Sequence, residues 1–142
     1  MAGTFLPTAN DDATLSQRLR GAGLRPTRQR LALAKLLFAK GDRHVTAEGL
    51  HGEAATARER VSLATIYNTL NQFTAAGLLR EVVIDSGRSY FDTNTGPHHH
   101  FYVENDGELL DIPADGVAVA GLPAAPRGMK VARVDVVVRV RR

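Results

Sequence analysis

Three of the chain's five histidines are consecutive, His98-His99-His100. Imidazole is the commonest metal ligand and also ligates haem iron. On an extended chain residues i and i+2 point the same way, so His98 and His100 can chelate one centre while His99 faces away. Carboxylates lie close in sequence, Asp92 before the triplet and Asp111 after it, and His44 stands far upstream in a loop. Together His44, Asp92, His98, His100 and Asp111 form a nitrogen/oxygen ligand set drawn from both sides of an expected domain boundary. An ion held by such a set would couple its occupancy to domain orientation, and through it to a second binding event. The bland alternative is a polar, exposed triplet in a loop. His51 has no evident role. A hydrolytic zinc centre uses the same ligand types, but no H-E-x-x-H spacing occurs and nothing else marks a substrate pocket.

Composition narrows the chemistry. The 142 residues include no cysteine. That excludes a disulfide framework, a thiolate zinc knuckle, an iron–sulfur cluster and a cysteine nucleophile. Hydrophobic residues at 44% and charged residues at 23% are ordinary for a globular protein. Met1–Pro7 has no basic n-region or long apolar core, so no signal peptide is expected. No run approaches the roughly 18 apolar residues of a membrane span. A cytoplasmic protein with no membrane partner is the expectation.

The net charge of +3 is unevenly placed. Residues 1–85 hold 11 basic and 8 acidic side chains, whereas residues 86–142 hold 7 of each. Within 16–43, eight cations from Arg18 to Arg43 face only Asp42. Such a cluster suits a polyanion such as DNA, or else a solvated helix face.

Four helical segments precede the histidines. Thr14 is expected to cap a helix running to Arg20, Thr27 one from Arg28 to Lys40, Thr46 one reaching about Ala57, and Ser62 one from Leu63 to Ala76. In the second, Leu31, Ala34, Leu37 and Phe38 form an apolar stripe. In the fourth, Leu63, Ile66, Leu70 and Phe73 share a buried face. Thr65, Asn68 and Gln72 lie on another face, with hydrogen-bonding groups that can reach base edges in a major groove. A strand from Leu79 to Ile84, a turn at Asp85-Ser86-Gly87 and a returning strand from Arg88 to Asp92 follow directly. Helices followed by a hairpin predict a winged helix-turn-helix, with 63–76 as recognition helix and 79–92 as wing. Arg80 and Arg88 on the wing could touch phosphate.

The remaining chain reads as strands at 101–103 and 108–112, at best a short helix within 115–122, a loop at 123–126, and a strand from Lys130 to Val140. About 50 residues bury little surface alone. A second copy of the chain is the economical cover for the apolar strand, and a homodimer would set two recognition helices roughly 34 Å apart on a pseudo-palindrome. The fold class is therefore α+β, with residues 1–92 binding DNA and residues 93–142 forming a dimerisation and sensing domain.

These residues resemble the ferric uptake regulator family of bacterial metal-responsive transcription factors. The likeness rests on Ala22-Gly23-Leu24-Arg25-Pro26-Thr27-Arg28-Gln29-Arg30 and His44-Val45-Thr46-Ala47-Glu48. It continues in Leu63-Ala64-Thr65-Ile66-Tyr67-Asn68-Thr69-Leu70, Gly87-Arg88-Ser89-Tyr90-Phe91 and the His98-His99-His100 segment. The resemblance implies a winged helix followed by an α/β dimerisation domain. It implies that Tyr67 contacts bases and backbone with Asn68 beside it, that Arg30 lies near the DNA backbone, and that His44, Asp92, His98, His100 and Asp111 form the inter-domain regulatory site. Asp92 stands where many relatives carry Glu.

Departures from the family pattern are equally informative. Val103 and Asp106 occupy the positions of the usual cysteine pair, so no structural tetra-thiolate zinc is expected. Ala118 and Val134 replace ligands of a further family site, and His99 replaces an acidic one. The absence of cysteine and the triplet followed by Phe101-Tyr102 resemble the iron-response regulator branch, whose members sense haem. In that branch haem would fall to His98, His99 and His100 and would weaken operator binding. The competing expectation is a repressor activated by Fe²⁺ or Mn²⁺, with Zn²⁺ able to substitute in vitro, at the inter-domain site. A peroxide sensor with Fe²⁺ on the same ligands is a third member of that class.

Overall fold

A computed structural model describes residues 11–142; the Met1–Pro7 segment lies outside the described residues. The chain divides into two compact units, the first ending at Thr95 and the second running from Gly96 to Arg142.

The first unit contains four helices, α1 (Asp12–Gly21), α2 (Arg28–Phe38), α3 (Ala47–Thr56) and α4 (Leu63–Ala75). Thr27, Thr46 and Ser62 cap α2, α3 and α4 as expected. Each accepts a hydrogen bond from the backbone N–H three residues on, which satisfies one of the otherwise open donors of the first turn. The cap of α1 is Asp11 rather than Thr14. Its carboxylate accepts from the Thr14 N–H at 2.7 Å, and the helix starts earlier than expected. Arg58, two residues past the end of α3, has a φ of 59°. That left-handed conformation ordinarily falls to glycine, and it costs another residue about 1 kcal/mol.

Leu15 and Leu19 of α1, Leu33 and Leu37 of α2, Leu50 of α3, and Ile66, Leu70 and Phe73 of α4 form one core with Phe91. Two expectations change here. Leu63 is 37% exposed, because the first turn of α4 projects beyond the core. Leu33 is fully buried where Leu31 and Phe38 are only partly so.

The three-stranded sheet of this unit has the order β1-β3-β2, built from β1 (His44–Val45), β2 (Arg80–Asp85) and β3 (Arg88–Asp92). β2 and β3 are the expected hairpin. Its turn is held by the Gly87 N–H donating to Asp85 Oδ1 at 3.0 Å. The antiparallel register sets Asp92 opposite His44 on one side and Arg80 on the other. Directly opposed residues project to the same face of a sheet. Arg80 is 4% exposed on that face, so it cannot serve as the expected phosphate contact of the wing. Beyond β3, Thr93 remains in the first unit, exchanging hydrogen bonds with the Arg43 backbone.

The second unit is a sheet of order β5-β4-β6, made of β4 (His98–Val103), β5 (Glu108–Pro113) and β6 (Val137–Val140). β4 pairs antiparallel with β5 and parallel with β6. The histidine triplet lies inside β4, not ahead of it. Gly107, at φ 75°, closes the β4–β5 turn in a conformation that suits a residue without Cβ. The expected short helix near 115–122 is one 3-10 turn, Ala114–Gly116. Only the last four residues of the expected 130–140 strand pair with β4, although the alternation of side chains begins earlier; hydrogen bonding to a neighbour, not periodicity, ends the strand. Among the described residues, no helix is long and apolar enough to cross a membrane.

Candidate functional site

On α4, Tyr67 and Asn68 are exposed, Thr65 is half-exposed, and Gln72 lies one turn further on. Their order follows from burial of Ile66, Leu70 and Phe73 on the opposite side. The Tyr67 hydroxyl donates to Glu48 Oε1 at 2.6 Å. This bond to an anion holds the phenol above its usual pKa and Glu48 below the usual carboxylate range. The hydroxyl is thus a fixed donor and the 40%-exposed ring points outward. Glu48 lies 19 residues away, and no local pattern could have revealed this pairing.

Arg30 is anchored twice, donating to the Arg25 carbonyl and to Gln72 Oε1, both at 3.0 Å. It therefore ties the start of α2 to the recognition helix and engages a Gln72 oxygen otherwise available to a base. Arg28 is exposed at the start of α2. Arg88 stands at the wing tip, its Nε and Nη2 both near Asp85 Oδ2, at 3.2 and 3.0 Å. A cleft of about 390 Å³ runs between the recognition helix and the wing, lined by Glu48, Tyr67, Asn71, Arg88 and Tyr90 among others. Asn71 was not among the expected contacts.

On the expectation that Tyr67 contacts a base, replacing it with Ala should weaken binding to a duplex selected from a random pool by roughly tenfold or more. Because the side chain is largely outside the core, the unfolding midpoint should barely move. Fluorescence anisotropy and urea denaturation check the two halves of this expectation. Undiminished affinity would remove Tyr67 from the interface.

The first unit also presents two ligand-type side chains together. His44 Nε2 is 3.2 Å from Asp92 Oδ2. The other oxygen of Asp92 accepts from the Asn94 N–H at 2.9 Å, which orients the carboxylate. His44 is positioned by its neighbour Arg43, whose guanidinium forms a two-pronged ion pair with Glu53 at 2.8 and 2.6 Å and also donates to the Leu36 carbonyl. The hydrogen bonds from Arg43 lower the Glu53 pKa. Stability from this pair is fully present above the ordinary glutamate value of 4.5 and is lost as pH falls through the lowered folded value. Glu53→Gln should flatten the acid limb of a stability-versus-pH curve for the first unit. An acid limb identical to wild type would show that the pair contributes nothing.

In the second unit, the Nε2 atoms of His98 and His100 lie 3.6 and 3.5 Å from the same Asp111 oxygen. Register explains this: His100 pairs with Asp111 across β4 and β5, and His98 is two residues away on the same face. The rings meet edge to face, with centroids 4.6 Å apart. Both imidazoles are nearly fully buried, whereas Asp111 is exposed. His98 Nδ1 donates to the Gly96 carbonyl at 2.7 Å. That bond places a hydrogen on Nδ1 and turns Nε2 toward Asp111, and metal-ligating histidines commonly have a carbonyl partner on the other ring nitrogen in this way. His99 does not join them. Its Nδ1 accepts from the Val136 N–H at 3.1 Å.

The donor chemistry fits a divalent ion of the first transition row. Imidazole nitrogens suit Fe and Zn, and carboxylates suit Mn. Thiolates are absent, so a closed structural zinc site of the cysteine type has no ligands here.

The model of the ferric uptake regulator family matches residues 21–139. The chain belongs to the ferric uptake regulator family. It is 34% identical over 101 residues to the ferric uptake regulation protein of Vibrio parahaemolyticus, covering 70% of this chain and 68% of that protein. To the protein of the same description from Pseudomonas aeruginosa it is 35% identical over 98 residues, covering 68% and 73%. The solved structure of the ferric uptake regulator from Pseudomonas aeruginosa with manganese superposes with a TM-score of 0.67 at 28% identity, covering 90% of this chain and 97% of that one. The expected α+β fold, with an N-terminal winged helix and a smaller C-terminal domain, is that of the family. This family member is a DNA-binding, metal-responsive transcription regulator.

Proposed function

We propose that the protein is a homodimeric repressor whose binding to a pseudo-palindromic operator is strengthened by Fe²⁺ or Mn²⁺. In this reading one ion is held jointly by His44 and Asp92 of the first unit and by His98, His100 and Asp111 of the second. The observation that carries it is the convergence of two buried imidazoles on one carboxylate, with the His98 ring oriented by the Gly96 carbonyl. Two ligands in one unit and three in the other are each too few to enclose such an ion, whereas five nitrogen and oxygen donors meet its needs. The bound ion supplies positive charge and fixed ligand directions, and no electron transfer is needed. His44 and Asp92 translate its presence to the sheet that carries the wing. Tyr67, Asn68, Thr65 and Gln72 face the bases, and Arg28, Arg30 and Arg88 face the phosphates.

Haem at His98, His99 and His100 is less well supported. A porphyrin needs an imidazole presented on an open face, and His98 and His100 are 5% and 1% exposed. His99 is engaged by the Val136 backbone. The homodimer reading is supported by the large apolar side chains that the second unit leaves exposed, Val119, Leu122, Met129, Val131 and Val138.

Calorimetric titration of the purified protein with Mn²⁺ and, separately, with haem tests the choice of effector. One Mn²⁺ per chain and no saturable shift of the haem Soret band are expected. Stoichiometric haem binding with no Mn²⁺ uptake would overturn the reading.

A further inference from the structure

A second cationic surface extends from Arg28 to residues given no role above. Arg28, Gln29, Arg58, Glu59, Arg60 and Val61 line a shallow cleft of about 390 Å³. All three arginines are exposed, and Glu59 is the one carboxylate in the lining. Two local features run against intrinsic preference here. Helix α2 opens with Arg28 and Arg30 and no acidic residue, although the positive end of a helix dipole favours anions. Arg58 occupies the left-handed conformation at the end of α3 that glycine would adopt without strain. Its backbone makes the usual helix-terminating bonds, with the Arg58 N–H donating to Ala55 and the Glu59 N–H to Ala54. Arginine therefore contributes nothing to the turn that glycine would not. An outlier retained at a local cost points to a use for its side chain.

The location suggests that use. Arg58 and Arg60 immediately precede Ser62, the cap of the recognition helix, so they stand at the end of α4 that enters a major groove in helix-turn-helix proteins. We propose that Arg58 and Arg60 join Arg28 in a clamp on the DNA phosphodiester backbone flanking the groove that receives α4. The clamp rests on the reading of the first unit as DNA-binding. It adds affinity for any duplex and no sequence preference, because phosphate is the same at every step.

The test uses the full-length protein, Mn²⁺ and a fluorescent random-sequence duplex, with affinity measured by anisotropy across a series of salt concentrations. Each lost phosphate contact should make the slope of log K against log salt less negative by about 0.9. Arg58→Gly and Arg60→Ala should each produce that change and weaken binding by roughly threefold to tenfold at low salt. Arg58→Lys, which keeps the charge, should retain most of the slope. Arg58→Gly should also raise the melting temperature, since it relieves the backbone while removing the contact. That opposition between stability and affinity would not follow from a merely structural arginine. If wild type shows a salt-dependent affinity and the Arg58→Gly/Arg60→Ala double variant has the same slope, the clamp is wrong and the interface reading stands. If wild type shows no salt-dependent affinity for duplex DNA, both fall together.

Discussion

Changing His98 and His100 together to Ala is expected to abolish high-affinity Mn²⁺ binding, a loss of roughly a hundredfold or more. Removing even an outer-shell partner of a metal ligand costs 10- to 100-fold, so two direct ligands should cost at least the upper figure. The effect should appear in three measurements. Calorimetric uptake disappears. The metal-dependent rise in thermal stability, about 2.7 kcal/mol at a hundredfold excess over Kd for a ligand bound only by the folded state, is lost. The metal-dependent gain in DNA affinity, about 5- to 150-fold for a typical coupling of 1–3 kcal/mol, is lost with it. His99→Ala is the control. Its imidazole accepts from Val136 and does not face Asp111, so its removal should leave metal uptake intact. Both altered histidines are buried, so the double variant must also keep its metal-free affinity for DNA. Retained Mn²⁺ binding by a folded His98→Ala/His100→Ala protein would place the metal elsewhere.

The second large effect concerns stability. Phe73→Ala is expected to cost about 3–5 kcal/mol, from lost transfer energy and the cavity left behind. Phe73 is fully buried on the inner face of α4, among leucines contributed by the other three helices. Small domains are stable by only about 5–15 kcal/mol, so this one substitution removes a large share of the total. Urea denaturation followed by helical circular dichroism should show a strongly lowered midpoint for the first unit. DNA binding should fail because the recognition helix loses its support, the reverse of Tyr67→Ala, which removes a contact from an intact helix. A midpoint unchanged by Phe73→Ala would mean that α4 is held by something other than this core.

The helices were legible because their signals are local. Thr27, Thr46 and Ser62 each announce a helix through a bond to the residue three positions on. Leu63 misleads because periodicity cannot tell that a first turn overhangs the core. Leu33 is missed because alternating Leu and Ala from Leu31 to Ala34 fit more than one face. The strands of the second unit are harder. Alternating valines predict an extended chain from Lys130, but the ladder with β4 covers only Val137–Val140, with Val136 bonded to β4 just ahead of it. The histidines extend β4 because β5 and β6 flank it on both sides, which polarity alone does not suggest.

Of the candidate site, the residue types and the i, i+2 geometry of His98 and His100 were readable, and so was the polar face of α4. The contacts that position them were not. Glu48 beneath Tyr67, Gln72 beside Arg30, and Glu53 gripping Arg43 join residues from 10 to 42 positions apart. Arg80 shows the opposite failure. Its place on the wing suggested phosphate, whereas the register sets it across from Asp92 on a buried face. Family resemblance supplied the roles of Tyr67 and the five ligands, and it also suggested haem, which the buried imidazoles favour less than a small ion.

The central claim is that a divalent ion strengthens DNA binding. One anisotropy experiment tests it most directly: Mn²⁺ titrated into the metal-free protein mixed with a fluorescent duplex selected by the protein itself, followed by haem in a parallel titration. The account predicts that Mn²⁺ tightens binding by about 5- to 150-fold and that haem leaves it unchanged. DNA binding that is indifferent to Mn²⁺ but released by stoichiometric haem would contradict it.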